Sequence, residues 1–154
     1  MLNKVVIIGV GLIGGSFALG LKRAGMVGEV VGIGRHPEAT ARALELGIVD
    51  SVSTSYEDAL RGADLVLLAA PVAQTGPILK ALLPYLEQGT IVTDAGSTKC
   101  DVVAAAREAL QDRVHQFVPG HPIAGSESNG RDAALAGLYQ GKKVVLTALP
   151  ENAA

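Results

Sequence analysis

The stretch VVIIGVGLIGGS, residues 5–16, decides how the rest of the chain is read. VVIIG (5–9) is a continuous apolar, β-branched run of strand length, and the helical pattern after it covers about 12–24. Between them lies G-x-G-x-x-G, a spacing that carries information only when a strand precedes it and a helix follows. Gly9 permits a tight turn, Gly11 lets a pyrophosphate approach the backbone, and Gly14 lets helix and strand pack closely. The helix start then offers unpaired N–H groups to phosphates. Gly9, Gly11, Leu12, Ile13 and Gly14 are therefore candidate cofactor-binding residues for a dinucleotide.

Outward from this stretch the alternation continues. EVVGIG (29–34) reads as a second strand, followed by a helix over 37–46 that ends at Gly47. A short helix near 56–61, the strand DLVLLAA (64–70), a helix over 75–86 and the strand TIVTD (90–94) come next. Then follow a helix over 99–110, a short strand HQFV (115–118), a loop, a helical turn around 131–138 and the strand KVVLT (143–147). Strands this continuously apolar are covered on both faces, which means a parallel sheet with crossover helices. The expected fold class is α/β, a Rossmann-type doubly wound and mainly parallel sheet. Residues 1–154 show no repeat, low-complexity tract or linker, so one domain is expected. LPENAA (149–154) reads as the first turn of another helix, and on that ground the sequence is expected to be a fragment of a longer protein.

Bulk composition removes several function classes. With 13 basic against 15 acidic residues there is no general attraction for nucleic acid or an anionic membrane, and with few aromatics there is little on which bases could stack. Any anion must be met locally. A single cysteine, Cys100, excludes an internal disulfide and fits a reducing compartment, so cytoplasmic residence is the expectation. The uncharged run 5–21 has glycines at 9, 11, 14, 15 and 20, which make a poor apolar helix for targeting or membrane insertion.

In NAD-binding versions of this loop an acid about twenty residues on bonds the adenosine ribose. Here that place falls on IGRHP, with Gly34, Arg35 and His36 and no carboxylate before Glu38. A guanidinium can pair with a 2′-phosphate in a fork. Arg35 and His36 are candidate cofactor residues, with NADP preferred and NAD possible; an Arg35 that only stacks on adenine or meets solvent is the alternative.

Three stretches fall at the carboxyl ends of later strands, where open α/β sheets bind ligands: AAPVAQT (69–75), DAGSTK (94–99) and GHPIAGSE (120–127). Together with GVGLIGGS these motifs resemble the N-terminal domain of the prephenate/arogenate dehydrogenase family, and the resemblance covers essentially all 154 residues. It implies an NAD(P)-dependent oxidoreductase of tyrosine biosynthesis. Its members oxidise the C4–OH of a cyclohexadienol by hydride transfer to nicotinamide, with loss of the ring carboxylate as carbon dioxide. His121 matches the family's catalytic histidine, and Ser97 matches its serine in the DxGS loop. Ala70, Pro71 and Val72 resemble the loop that packs against the cofactor, and Ser126 and Glu127 are substrate or gating candidates. The family also implies an α-helical second domain, absent here, that grips the substrate's carboxylates and makes a homodimer of the full-length protein. On this resemblance the chain alone is expected to bind cofactor with negligible turnover.

Physical reasons support these assignments. Pro122 restricts the backbone on both sides of its peptide and Gly120 permits close approach, so an imidazole on a loop is held as if on a scaffold. Ser97 or Thr98 can instead cap the helix that begins at Lys99. Asp94 reads as a turn-stabilising acid, and Cys100 as a small apolar packing residue. His36 and His115 have no ligand spacing with Cys100 or an acid, so no metal site is expected. Two other functions stay open: a β-hydroxyacid-type dehydrogenase, which would use a lysine as acid/base, and a non-catalytic nucleotide-sensing module.

Overall fold

A computed structural model of the chain describes residues 1–124, 132 and 134–153. Six strands form one parallel sheet: β1 (Leu2–Ile8), β2 (Val27–Ile33), β3 (Ser51–Val52), β4 (Leu65–Leu68), β5 (Ile91–Asp94) and β6 (Phe117–Val118). Their order across the sheet is β3-β2-β1-β4-β5-β6, and every pairing is parallel. The chain starts in the middle, winds outward through β2 and β3, then returns to the other side of β1. This is the reversal that defines a doubly wound sheet and opens a crevice at the carboxyl ends of β1 and β4.

The crossover helices are α1 (Leu12–Arg23), α2 (Pro37–Glu45), α3 (Tyr56–Leu60), α4 (Thr75–Leu82) and α5 (Lys99–Leu110). Alternation along β1 shows why both faces need cover: Val5 and Ile7 pack with Ala18, Ala43 and Ile48 on one side. Val6 and Ile8 pack on the other with Leu60, Leu79, Val102 and Leu110. All four strand residues are buried, which accounts for the unbroken apolar run.

Several boundaries differ from the sequence expectation. β3, two residues long, has no apolar run to announce it and exists because Val31 and Gly32 offer Ser51 and Val52 an open edge. The helix expected over 75–86 ends at Leu82 and tightens into a 3₁₀ turn, Leu83–Tyr85, because Pro84 interrupts the α pattern. His115 and Gln116 belong to the 3₁₀ segment Gln111–Gln116, leaving β6 only two residues. The largest correction concerns the end of the chain. Residues 120–122, expected in a loop, form strand β7 (Gly120–Pro122), which pairs antiparallel with β8 (Val144–Leu146) in a separate ribbon. KVVLT therefore adds no strand to the parallel sheet, and all three β8 residues are exposed. Of the helical turn expected around 131–138, residues 131 and 133 lie outside the described set, and 136–140 form a turn.

Candidate functional site

Sheet order places the ends of β1, β4 and β5 side by side. Ile8 pairs with Leu68, and Leu68 with Asp94, so the exits of β1 and β5 stand two inter-strand spacings apart, about 10 Å. At the first exit Gly9 turns with φ 96°, and a Cβ there would lie 2.7 Å from the Ala69 carbonyl oxygen. Only glycine meets both conditions. Gly14 faces the same turn from α1, where an added Cβ would collide with the Gly9 carbonyl and sit 2.8 Å from Ile7 Cγ2. Gly11 is different: nothing lies within 4 Å of the position its Cβ would take. The space is open, as an approaching phosphate requires. Gly11 is also the N-cap of α1; it makes no side-chain cap, and the first turn carries no acidic residue, so the helix start presents its dipole uncompensated.

A cleft of about 780 Å³ runs from this turn toward β2 and collects Gly9, Gly11, Arg35, His36, Ala70 and Pro71 from the expected set. It also collects Thr40, Thr54 and Tyr56, which no motif announced, and Gln74 from the AAPVAQT stretch, where only Ala70, Pro71 and Val72 were singled out. Burial pushes the Tyr56 phenol above its ordinary value, which keeps that side chain neutral. With its amide oriented to satisfy its neighbours, Gln74 accepts from both terminal nitrogens of Arg35, at 3.1 and 3.3 Å. The guanidinium is thereby held across the end of the cleft where the adenosine ribose is expected. Leu12 and Gly14 are buried behind the turn, and Ile13 is half-buried with its carbonyl accepting from the Tyr139 hydroxyl at 3.1 Å. Val72 belongs to a 3₁₀ turn, Val72–Gln74, and packs toward Gly96 instead of lining this cleft.

The second exit, at β5, is built from side chains. Asp94 is buried; its Oδ1 accepts from the Gly120 N–H at 3.0 Å and its Oδ2 from the Gly96 N–H at 2.9 Å. Lys99 Nζ donates to the Asp94 carboxylate and, at 2.7 Å, to the Gly120 carbonyl. Asp94 does stabilise its turn, as the sequence suggested, but it also reaches across to the strand that carries His121. Neither that contact nor Lys99 was legible, because both depend on 21 and 26 residues of intervening chain.

His121 sits in β7 opposite Val145, half-buried, and its Nδ1 is buried without a hydrogen-bond partner among the described residues. A buried ring nitrogen left unpaired costs about 1–3 kcal/mol, which is why such atoms mark places where a ligand completes the bonding. Ser97 is exposed on the loop from β5 to α5, and its hydroxyl makes no bond to the described residues. Thr98 occupies the N-cap of α5 without a side-chain cap, so the capping alternative is not realised by either residue. Ser126 and Glu127 lie outside the described residues. Cys100 is exposed, which corrects the packing role expected of it: it points from the first turn of α5 away from the core. His115 turns its Nδ1 to the Asp112 carbonyl at 2.9 Å. Among the described residues no group of three or more His, Cys, Asp or Glu is placed to hold a metal, and no helix is long and apolar enough to cross a membrane.

A second part of the chain closes over α1. Leu135 N donates to the buried Ser16 hydroxyl at 2.9 Å, and the Tyr139 ring meets Phe17 edge-on at 5.8 Å between centroids. Gly15 leaves room for Ala134, whose Cβ would stand 3.0 Å from an added methyl. Burial raises the Tyr139 phenol to about 12, which keeps it a donor to Ile13 throughout the ordinary pH range.

The family described as prephenate dehydrogenase, nucleotide-binding domain, matches residues 17–153. Among curated relatives, a prephenate dehydrogenase of Lactococcus lactis is 39% identical over 147 residues, covering 95% of this chain and 41% of that protein. A cyclohexadienyl dehydrogenase of Zymomonas mobilis is 40% identical over 147 residues, covering 94% of this chain and 49% of that protein. The chain thus spans less than half the length of these curated relatives. Among solved structures, prephenate dehydrogenase from A. aeolicus in complex with hydroxyphenyl propionate and NAD+ superposes with a TM-score of 0.88. It is 41% identical, covering 98% of this chain and 52% of that one. Synechocystis arogenate dehydrogenase follows with a TM-score of 0.85 and 31% identity, covering 96% and 51%.

Proposed function

The chain belongs to the prephenate dehydrogenase family, and on that premise we propose that it holds a nicotinamide dinucleotide at the glycine loop and presents His121 to a cyclohexadienol substrate. The observation that carries this reading is the buried Nδ1 of His121, which has no hydrogen-bond partner among the described residues, on the strand beside β5. Gly9, Gly11 and the first N–H groups of α1 would hold the pyrophosphate, and Arg35 the adenosine end. When bound, the nicotinamide supplies a hydride acceptor. The rest is the work of the chain's own groups. As carbon C4 of the substrate gives up its hydrogen with the bonding electron pair, the hydroxyl on C4 acidifies and the His121 imidazole takes the O–H proton. The Ser97 hydroxyl, able to donate and accept, fixes the orientation of that C4–OH. Loss of the ring carboxylate as carbon dioxide then yields the aromatic product.

Prephenate and arogenate both carry charged groups beyond the ring, and these need charge-assisted partners. Lys99, which bonds the Gly120 carbonyl one residue before His121, is already committed to Asp94 and Gly120. We place the carboxylate grips, and the contacts of a homodimer, in the further length that the relatives possess. Residues 1–154 then act as one dinucleotide-binding domain that carries the catalytic histidine. The same commitment of Lys99 argues against the lysine-based mechanism of β-hydroxyacid-type dehydrogenases. A sensing module, for its part, has no use for an imidazole with an open nitrogen.

We further propose NADP over NAD as the preferred cofactor, because Arg35 stands where a ribose-binding acid would repel a 2′-phosphate. Titrating the chain with NADP+ and NAD+ by calorimetry, then adding prephenate or arogenate and following absorbance at 340 nm, tests the whole reading. Dinucleotide binding with NADP+ the tighter, and negligible turnover without further chain, is the expected result. Absence of binding to either dinucleotide would overturn it.

A further inference from the structure

The parallel ladder between β5 and β6 ends at the pair Thr93 and Val118. Two residues later the chain leaves the sheet for the antiparallel ribbon, and on the β5 side Gly120 has no strand to pair with. Its backbone groups are nevertheless satisfied, by side chains. The N–H donates to Asp94 Oδ1 at 3.0 Å and the carbonyl accepts from Lys99 Nζ at 2.7 Å, while Thr93 Oγ1 donates to the Val118 carbonyl at 2.7 Å. The approach is close enough that a Cβ on Gly120 would stand 3.0 Å from the Asp94 carbonyl oxygen and 3.1 Å from Thr93 Oγ1. The Asp94 and Lys99 side chains are only 3% and 18% exposed, so the pair is shielded from screening water.

We propose that Asp94 and Lys99 form a clamp that sets Ser97 and His121 in register with each other, and are positioning residues for the chemistry assigned to that histidine. The inference rests on the function proposed above. Its logic is that one carboxylate touches both loops. Through Oδ2 it holds the Gly96 N–H, one residue before Ser97; through Oδ1 it holds the Gly120 N–H, one residue before His121. Lys99 then closes the ring from the carboxylate to the Gly120 carbonyl. A buried ion pair is a costly way to stabilise a fold, since apolar residues of similar volume do as well or better. It is a good way to fix two loops relative to each other, because holding both the N–H and the C=O of Gly120 restrains the two peptide planes that flank it, the second of which leads into His121.

Hydrogen exchange and imidazole NMR on the ¹⁵N-labelled 154-residue chain test this without requiring turnover. In Lys99→Met the Gly120 N–H should exchange at least tenfold faster, while the amides of Val6 and Val66 in the sheet centre keep their rates. The His121 ring signals should broaden or divide, NADP+ affinity should stay within twofold, and Lys99→Arg should restore most of the Gly120 protection. Lys99→Met alone leaves a buried carboxylate unpaired. If it fails to fold, the double variant Asp94→Asn/Lys99→Met, which removes both charges together, is expected to show the same local loss. Unchanged exchange at Gly120, or a rise shared equally by Val6 and Val66, would overturn the clamp, as would an Arg variant no better than the Met variant. Failure of the functional reading looks different: the unmodified chain would bind no dinucleotide, whatever Gly120 does.

Discussion

The two exits of the sheet that face each other across the crevice are built in opposite ways. At β1 the site is backbone: three glycines, a helix start and a carbonyl, all within six residues of one another. At β5 and β7 the site is side chain and long-range: Asp94, Lys99 and Thr93 hold residues 118–120 from 21 to 26 positions away. Backbone sites of the first kind bind what every dinucleotide shares. The second kind fixes one imidazole, the group to which we assign the proton transfer. The difference predicts that damage at β1 will unfold or weaken binding, whereas damage at β7 will leave binding intact and remove chemistry.

The sharpest break in that comparison is His121→Asn. In whatever length of the protein turns over prephenate or arogenate, the rate should fall by about 10²–10⁴, with dinucleotide affinity by fluorescence titration unchanged within twofold. A variant that retained most of its rate would mean the β7 side does no proton transfer. Next comes Gly9→Ala, which must place a methyl 2.7 Å from a backbone oxygen at φ 96°. A loss of roughly 3 kcal/mol is expected from overpacking and the strained dihedral together, read as a shift in the urea midpoint. Gly11→Ala, with nothing to collide with, should leave that midpoint in place and weaken dinucleotide binding. This contrast separates folding glycines from binding ones.

Arg35→Ala is expected to cost about 1.5–3 kcal/mol of NADP+ affinity, the range of hydrogen bonds to charged groups, and to change NAD+ affinity little. Equal losses for both cofactors would make Arg35 a general adenosine contact. The smallest effect is Tyr139→Phe, which removes the bond to the Ile13 carbonyl and should cost about 1 kcal/mol. Its pH dependence has a definite sign. The folded phenol titrates at about 12, above its ordinary 10.0, so its stabilising contribution is fully present below pH 10 and is lost as pH rises through about 12. Alkaline denaturation of the parent and the Phe variant should converge in that window, with the tyrosinate absorbance near 295 nm reporting the step.

Reading along the chain located the first exit almost completely. The glycine spacing, the buried strand before it and the helix after it are local, and local geometry fixed where Gly9, Gly11 and Gly14 stand. It singled out His121 and Ser97 only through motif resemblance. The residues that hold them were undervalued: Asp94 read as a turn acid, and Lys99 as nothing more than a helix start. KVVLT shows the same limit from the other side. Its apolar alternation and β-branching promised another buried strand, yet Val144, Val145 and Leu146 are about half exposed on a two-stranded ribbon.

The sequence by itself determined the α/β class, the alternation of the longer strands and helices through α5, and the glycine turn between β1 and α1. Periodicity and glycine spacing encode interactions between neighbours, and those are set within one strand or one turn. Only the tertiary structure decided that 120–122 is a strand, that an aspartate and a lysine hold it, and that Arg35 is steadied by Gln74. Each of these depends on which element lies beside which after the chain has wound back on itself. A hydrogen bond falls off within a few tenths of an ångström, so no pattern along the chain can stand in for that proximity.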